Sequence, residues 1–264
     1  MVTHDACLSI LVLTEDGSSD AFDVVRALVK KMLLLVDEHA QTHRVQIDPA
    51  NDGAKRAMRG NLWKSSRPAD HKHKVDLTRA IATQLLQASN AGFVVFHVDG
   101  DRRWSEHGSS ENLAKFDAYR TSIQRTIDDL AFRQRPVDPE TASRRKAAAI
   151  GRLLLLVPFY SIESWLYQNV EEAIRICGNE LRCGRHVAEL KAWQMNRAAL
   201  DEVTQPKEHL CLRDRFNLRL ATQGYPSREV LAAGASFTSA VESMRRCEDL
   251  LEALEHTHHA PAHV

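Results

Sequence analysis

The sequence has no excess of charge of either sign. Lys and Arg together number 35 and Asp and Glu 35, so the formal net charge of the 264 residues is zero. That balance excludes a generally basic coat, and any nucleic-acid surface has to be a local patch. Cysteine is scarce: Cys7, Cys177, Cys183, Cys211 and Cys247 form no CxxC pair and are odd in number. A zinc ribbon and a disulfide framework are both disfavoured, and a reducing compartment is expected. No apolar run reaches the roughly 18–20 residues of a membrane span; the longest, residues 153–160, is strand-sized. A basic n-region is missing from the first fifteen residues, which run directly into an acidic cluster, so no signal peptide is expected. The expectation is a soluble, cytoplasmic chain without a membrane partner, long enough for one large domain or two small ones.

What is present alternates between strand and helix patterns. Leu8-Ser9-Ile10-Leu11-Val12-Leu13 is apolar on both faces, as a strand between two helix layers must be. Ser18 or Ser19 can cap a helix over about residues 20–36, with Phe22, Val25, Leu28, Val29, Met32 and Leu33 at helical spacing. A weaker strand is predicted at residues 44–47, then a loop over 49–74 and a helix over 76–89 capped by Asp76. Phe93-Val94-Val95-Phe96-His97-Val98 is the clearest strand and runs straight into Asp99-Gly100-Asp101. A helix over 111–132 follows, ended by Pro136 and Pro139. Residues 153–157 form a further buried strand, followed by a helix over about 161–177 and a mostly helical remainder to residue 254. The histidine-rich end, 256–263, has no apolar period and is expected to fray. Strands separated by helices indicate an α/β fold with a largely parallel sheet, whose working crevice lies at the carboxyl ends of the strands.

Acids gather at those ends. The first strand delivers Glu15, Asp16 and Asp20, the strand at 93–98 delivers Asp99 and Asp101, and the strand at 153–157 delivers Glu163. Carboxylates held a few ångströms apart repel one another and stay ionised together only around a cation. Hard oxygen donors select Mg²⁺ or Mn²⁺ over Zn²⁺. Asp99 and Asp101 are spaced i, i+2, so at a strand end both can face one ion, with Gly100 permitting the turn between them.

On these residues the chain resembles the TOPRIM family. Thr14-Glu15-Asp16-Gly17-Ser18-Ser19-Asp20 is similar to its glutamate and Gly-x-x-Asp signature, and Phe96-His97-Val98-Asp99-Gly100-Asp101 to its Asp-x-Asp motif. The segment Pro158-Phe159-Tyr160-Ser161-Ile162-Glu163-Ser164-Trp165 resembles a Pro-x-x-x-x-Glu-x-Trp stretch of small TOPRIM-like proteins related to OLD-type nucleases of phage defence. The likeness covers roughly residues 8–165. One departure is that Asp16 stands between Glu15 and Gly17, so either Glu15 or Asp16 is the motif acid, with Glu15 favoured because it follows the strand directly. The resemblance implies a TOPRIM-like, Rossmann-like catalytic domain over 1–177; the remainder is unmatched, and its pattern predicts a helical C-terminal region over 178–254 packed on that domain and a flexible tail over 255–264. The resemblance further implies a Mg²⁺- or Mn²⁺-dependent endonuclease of two-metal type. Glu15, Asp99 and Asp101 would serve as catalytic ligands, Asp20 and Glu163 would support a second ion, and Lys207 would be a cation near the scissile phosphate. An ATPase or other defence-operon partner is implied as well, and a homo-oligomer is compatible with it.

Basic residues suggest where nucleic acid would lie. Lys55, Arg56, Arg59, Lys64, Arg67, Lys72 and Lys74 in the 49–74 stretch face only two acids, Asp52 and Asp70, and Trp63 could stack on an unpaired base. Arg102, Arg103 and Trp104 follow the acid pair. His71, His73 and the tail histidines lack spaced partners for a transition metal. Two rival readings stand beside the nuclease. An Asp-x-Asp glycosyl- or nucleotidyltransferase would leave Glu15 and Glu163 without a role, and a non-catalytic subunit of an ATPase-containing complex would carry the acids without using them.

Overall fold

The computed structural model describes residues 8–87, 91–100, 111–131, 138–202 and 212–258. The apolar runs become four strands, β1 (Leu8–Leu13), β2 (Val45–Pro49), β3 (Ala91–His97) and β4 (Leu153–Leu156). They form one sheet in the order β2-β1-β3-β4, every pair parallel, with Ile10 opposite both Ile47 and Phe93, and His97 opposite Leu156. Both faces are covered, which is why these strands carry so few polar residues. Ile10, Val12, Phe93 and Val95 enter one core, while Leu13, Val94 and Phe96 enter the other, as the two-residue side-chain period requires.

Helix α1 (Ser19–Val36) begins where Ser18 accepts a hydrogen bond from Ala21 N, and it buries Phe22, Val25, Leu28, Val29, Met32 and Leu33 on the first face. The same core continues through Trp165, Leu190, Leu220, Phe237 and Leu250, so the C-terminal helices share it rather than forming a separate one. They comprise α6 (Glu163–Leu166), α7 (Val170–Arg175), α8 (Gly184–Met195), α9 (Asn217–Thr222), α10 (Ser227–Ala233), α11 (Ala235–Arg245) and α12 (Glu248–Glu255). The opposite face is covered by α2 (Asp52–Arg59), α3 (His71–Leu85) and α4 (Glu111–Ala131), with α5 (Pro139–Gly151) leading into β4. The fold is therefore α/β, a parallel sheet flanked by helices on both sides.

Several local expectations change. The 49–74 stretch holds helix α2, started by Asn51 accepting from Ala54 N; it buries only Ala54, Ala57 and Met58, so its apolar period is faint in sequence. Helix α3 starts at His71, placing Asp76 inside it. Pro139 opens α5 behind the Asp138 cap instead of ending a helix, because a first-turn proline needs no N–H. The helix expected over 161–177 is broken: Asn169 Nδ2 donates to Leu220 O and Gln223 O, and a π turn occupies Ile176–Glu180. Fraying does not begin at residue 256, since Thr257 is fully buried, its Oγ1 accepts from Gln41 N at 3.0 Å and its carbonyl accepts from Arg44. Cys183 is disulfide-bonded, against the expectation from cysteine number and spacing, whereas Cys177 and Cys247 form no disulfide. No described helix is long and apolar enough to cross a membrane.

From β1 the chain moves outward to β2 and then returns past β1 to β3. The connections leaving β1 and β3 therefore diverge, and a crevice opens between their carboxyl ends.

Candidate metal and phosphate site

The loop leaving β1 is a turn closed by Gly17 N donating to Thr14 O at 3.0 Å. Gly17 has φ +63°, and a Cβ there would lie 2.5 Å from Lys55 O, so the turn needs glycine on both counts. The turn sends its two acids in different directions. Glu15 points to the crevice, where its Oε2 accepts from the backbone N–H of Asp99 at 2.7 Å and its Oε1 lies 3.4 Å from Lys64 Nζ. Asp16 is exposed and its carboxylate accepts from Ser18 N and Ser18 Oγ, while Arg59 Nε donates to its carbonyl. The Asp16 carboxylate is thus bound up in the entry to α1.

Beyond β3 the chain keeps to the path of the segment after β4. Val98 N donates to Leu156 O and Gly100 N to Pro158 O. A Cβ at Gly100 would stand 2.3 Å from Phe159 O and 2.5 Å from Pro158 O, so only glycine permits this approach. Asp99 Oδ1 accepts from Ile162 N at 3.0 Å, and Asn112 Nδ2 donates to the Asp99 carbonyl at 2.6 Å. Glu163, next in the chain, is buried at the start of α6, with Asn217 Nδ2 3.4 Å from its Oε1. Three strand ends are in this way joined by one chain of hydrogen bonds: Glu15 to Asp99, Asp99 to the residue before Glu163.

Beneath them lies His97. The residue is 5% exposed, neither ring nitrogen has a hydrogen-bond partner among the described residues, and Nε2 is 3.7 Å from Asp99 Oδ1. Burial pulls its pKa down to about 4, against the upward pull of the Glu15, Glu163 and Asp16 carboxylates. The imidazole is neutral at neutral pH. In the sequence, His97 is marked only as a polar residue at the end of an apolar strand, two positions before Asp99. Asn112 and Asn217, both from distant helices, carried no local signal.

The remaining candidates fall in several places. Asp20 is exposed in the first turn of α1. Lys55, Arg56 and Arg59 lie on α2, and Arg67 is exposed on the turn that precedes α3. Lys64 is turned inward, its side chain only 14% exposed, so it faces Glu15 rather than open solvent. The stacking role expected of Trp63 is corrected: the ring is fully buried, edge-on to Phe96 at 5.3 Å and beside Tyr119 at 5.9 Å, because it fills the core under α3 and α4. Asp101, Arg102, Arg103, Trp104 and Lys207 lie outside the described residues.

In kind, the donors suit a hard divalent cation: carboxylate oxygens at three strand ends above a buried imidazole with both nitrogens unsatisfied. In position they are not drawn into one coordination sphere. Among the described residues no three His, Cys, Asp or Glu side chains stand close enough to hold an ion. The ammonium of Lys64 and the N–H groups of Asp99 and Ile162 partly neutralise the carboxylates instead. Comparison of the chain with protein-family models, with curated proteins and with solved structures finds no match, so the chemistry of the site is argued from its own residues.

Proposed function

We propose that the chain is a Mg²⁺- or Mn²⁺-dependent nuclease of TOPRIM type, cleaving phosphodiester bonds of DNA or RNA at the β1/β3 crevice. The observation that supports this reading most is the hydrogen-bonded series from Glu15 through Asp99 to the N–H of Ile162, the residue before Glu163, which links three acid-bearing strand ends at the switch point of a parallel sheet. Glu15, Asp99 and Glu163, which do not share one coordination sphere in the structure, would have to close round the cation, with Asp101 and Asp20 as further expected ligands. A divalent ion bound there neutralises phosphate charge and makes a water more acidic. The chain's own groups prepare the site. The Asp99 N–H fixes the Glu15 carboxylate, so Glu15 is held in place to accept a proton from an attacking water. The N–H of Ile162 fixes Asp99 in the same way. Lys64 Nζ, 3.4 Å from Glu15 Oε1, is a positive charge available to a phosphate oxygen once the carboxylate is otherwise neutralised. A phage-defence role and an ATPase partner are carried by the resemblance alone.

The test is incubation of the purified chain with plasmid, single-stranded DNA and RNA in Mg²⁺ and in Mn²⁺, beside Glu15→Ala and Asp99→Ala shown to be folded by circular dichroism. Cleavage by the parent and its loss in both variants is expected. Equal cleavage by parent and variants, or none by the parent with either ion, overturns the proposal.

A further inference from the structure

A groove lies away from the acids, between the turn at 65–68, α3 and α4. It is half-open, with a volume of about 540 Å³, in the range of ligand sites. Arg67, His71 and Lys74 line it, together with hydroxyls that include Ser66, Ser122 and Thr126, and no carboxylate does. Asp70 is the one acid between residues 61 and 74, and it accepts from Ser65 Oγ at 2.6 Å. Lys74 is steadied over the ring of Tyr119, its Nζ 5.7 Å from the centroid. Cations and hydroxyls without a competing acid are the donors that meet phosphate oxygens. Among the described residues the lining offers no Phe, Tyr or Trp face for a base, since Trp63 and Tyr119 are buried beneath it. A nucleobase site would need such a face.

We propose that this groove binds the sugar–phosphate backbone of a nucleic-acid strand without reading its sequence. The inference rests on the nuclease reading for its purpose, because Lys64, on Glu15, is the chain neighbour of Ser65, on the groove rim. A strand lying in the groove passes one residue from the acid crevice. It deepens that reading by separating strand binding from cleavage, and by adding His71, Ser122 and Thr126, which the basic-loop pattern did not single out as a site.

Binding of a short fluorescein-labelled single-stranded DNA, and of its RNA counterpart, is measured by anisotropy in EDTA at two salt concentrations. The full-length parent is compared with the double variant Arg67→Ala/Lys74→Gln and with the control Arg185→Ala/Lys191→Ala, which removes equal charge from exposed positions on α8. The groove variant is expected to bind about tenfold more weakly, with the slope of log affinity against log salt reduced by about 1.4, at roughly 0.7 per lost phosphate contact on a single strand. The control is expected to match the parent. Unchanged affinity and slope in the groove variant, or an equal loss in the control, overturns the proposal. So does a parent that binds no oligonucleotide, including one that shows a groove-dependent thermal shift with inorganic phosphate, which would make the groove a small-anion site. The two readings fail separately: groove-dependent binding without any metal-dependent cleavage removes the nuclease alone, and cleavage that survives the groove variant with unchanged binding removes the groove alone.

Discussion

Glu15 Oε2 accepts a hydrogen bond from the backbone N–H of Asp99 at 2.7 Å, across 84 residues of sequence. Because β1 and β3 are adjacent and parallel, the chain two residues beyond each strand stays close to its neighbour, and the bond closes the gap between Glu15 and Asp99. Asp99 therefore contributes twice, holding Glu15 through its N–H and tying down the segment of Glu163 through its carboxylate. The Glu15 and Asp99 carboxylates are each oriented by a backbone amide.

This double use separates two substitutions at one position. Glu15→Gln keeps an oxygen that can accept from Asp99 N, so it is expected to fold with nearly parental stability while losing at least about 100-fold in cleavage rate. Glu15→Ala leaves that N–H without its partner and is expected to be less stable by about 1–3 kcal/mol. Urea unfolding and a plasmid-nicking assay on the same preparations read the two effects. Parental cleavage by Glu15→Gln would take Glu15 out of the chemistry.

Lys64 and a divalent cation would compete for the same carboxylate. Lys64→Gln is expected to lower the melting temperature in EDTA, where Glu15 loses its counter-charge, and to enlarge the upward shift produced by Mn²⁺ relative to the parent. The comparison is a thermal-shift titration of both proteins. Identical Mn²⁺ responses would mean that the ion, if it binds, does not meet Glu15.

The low pKa of His97 gives stability a pH dependence whose sign can be worked out. Its folded value, about 4, lies below the ordinary 6.5, so between those values the unfolded chain binds more protons than the folded one. The associated stability is present above about pH 6.5 and is lost as the pH falls towards 4. Going from pH 7 to 5 in metal-free buffer should cost about 2 kcal/mol through this residue alone. His97→Asn removes that part of the dependence, so the gap in unfolding free energy between parent and variant should narrow by this amount at pH 5. A gap that does not change with pH would contradict a buried, neutral imidazole.

How much of this is legible in the sequence depends on the range of the interactions. Strands β1, β3 and β4 announce themselves because a strand covered on both faces has to be almost wholly apolar, and parallel order then puts Glu15, Asp99 and Glu163 at one edge. Helix α2 is obscured because its buried side is built largely from alanine. The state of His97 is set by burial from elements far along the chain, and the inward turn of Lys64 by a core that swallows its neighbour Trp63. Solvent exposure is decided by packing between distant segments, so a basic loop read residue by residue cannot show which of its cations face water.

Trp63 tests that point directly. With its ring fully buried against Phe96, Phe116 and Tyr119, Trp63→Ala is expected to cost about 3–5 kcal/mol of stability, by loss of buried surface and creation of a cavity. Trp63→Phe fills most of the space and should stay folded with parental oligonucleotide affinity. A large drop in affinity for a stably folded Trp63→Phe would return the indole to a base-stacking role.

Gly100 is the position where fold and site are least separable. Its Cα passes so close to the Phe159 and Pro158 carbonyls that an added Cβ would lie 2.3 Å and 2.5 Å from them, and neither oxygen belongs to a flexible side chain. Gly100→Ala therefore has to push the loop after β3 away from the segment after β4. That separation lengthens the Gly100 N to Pro158 O bond, now 3.0 Å, and the Ile162 N to Asp99 Oδ1 bond, also 3.0 Å. The expected outcome is a loss of about 1–3 kcal/mol in urea unfolding, in the range for overpacking a tight contact, with a fall in cleavage larger than the loss of folded protein explains. Gly53→Ala is a suitable control, since its Cβ would meet only the Asn51 side chain at 3.4 Å. If Gly100→Ala matches this control in stability and in rate, the close approach of the two strand-end loops is not what positions Asp99.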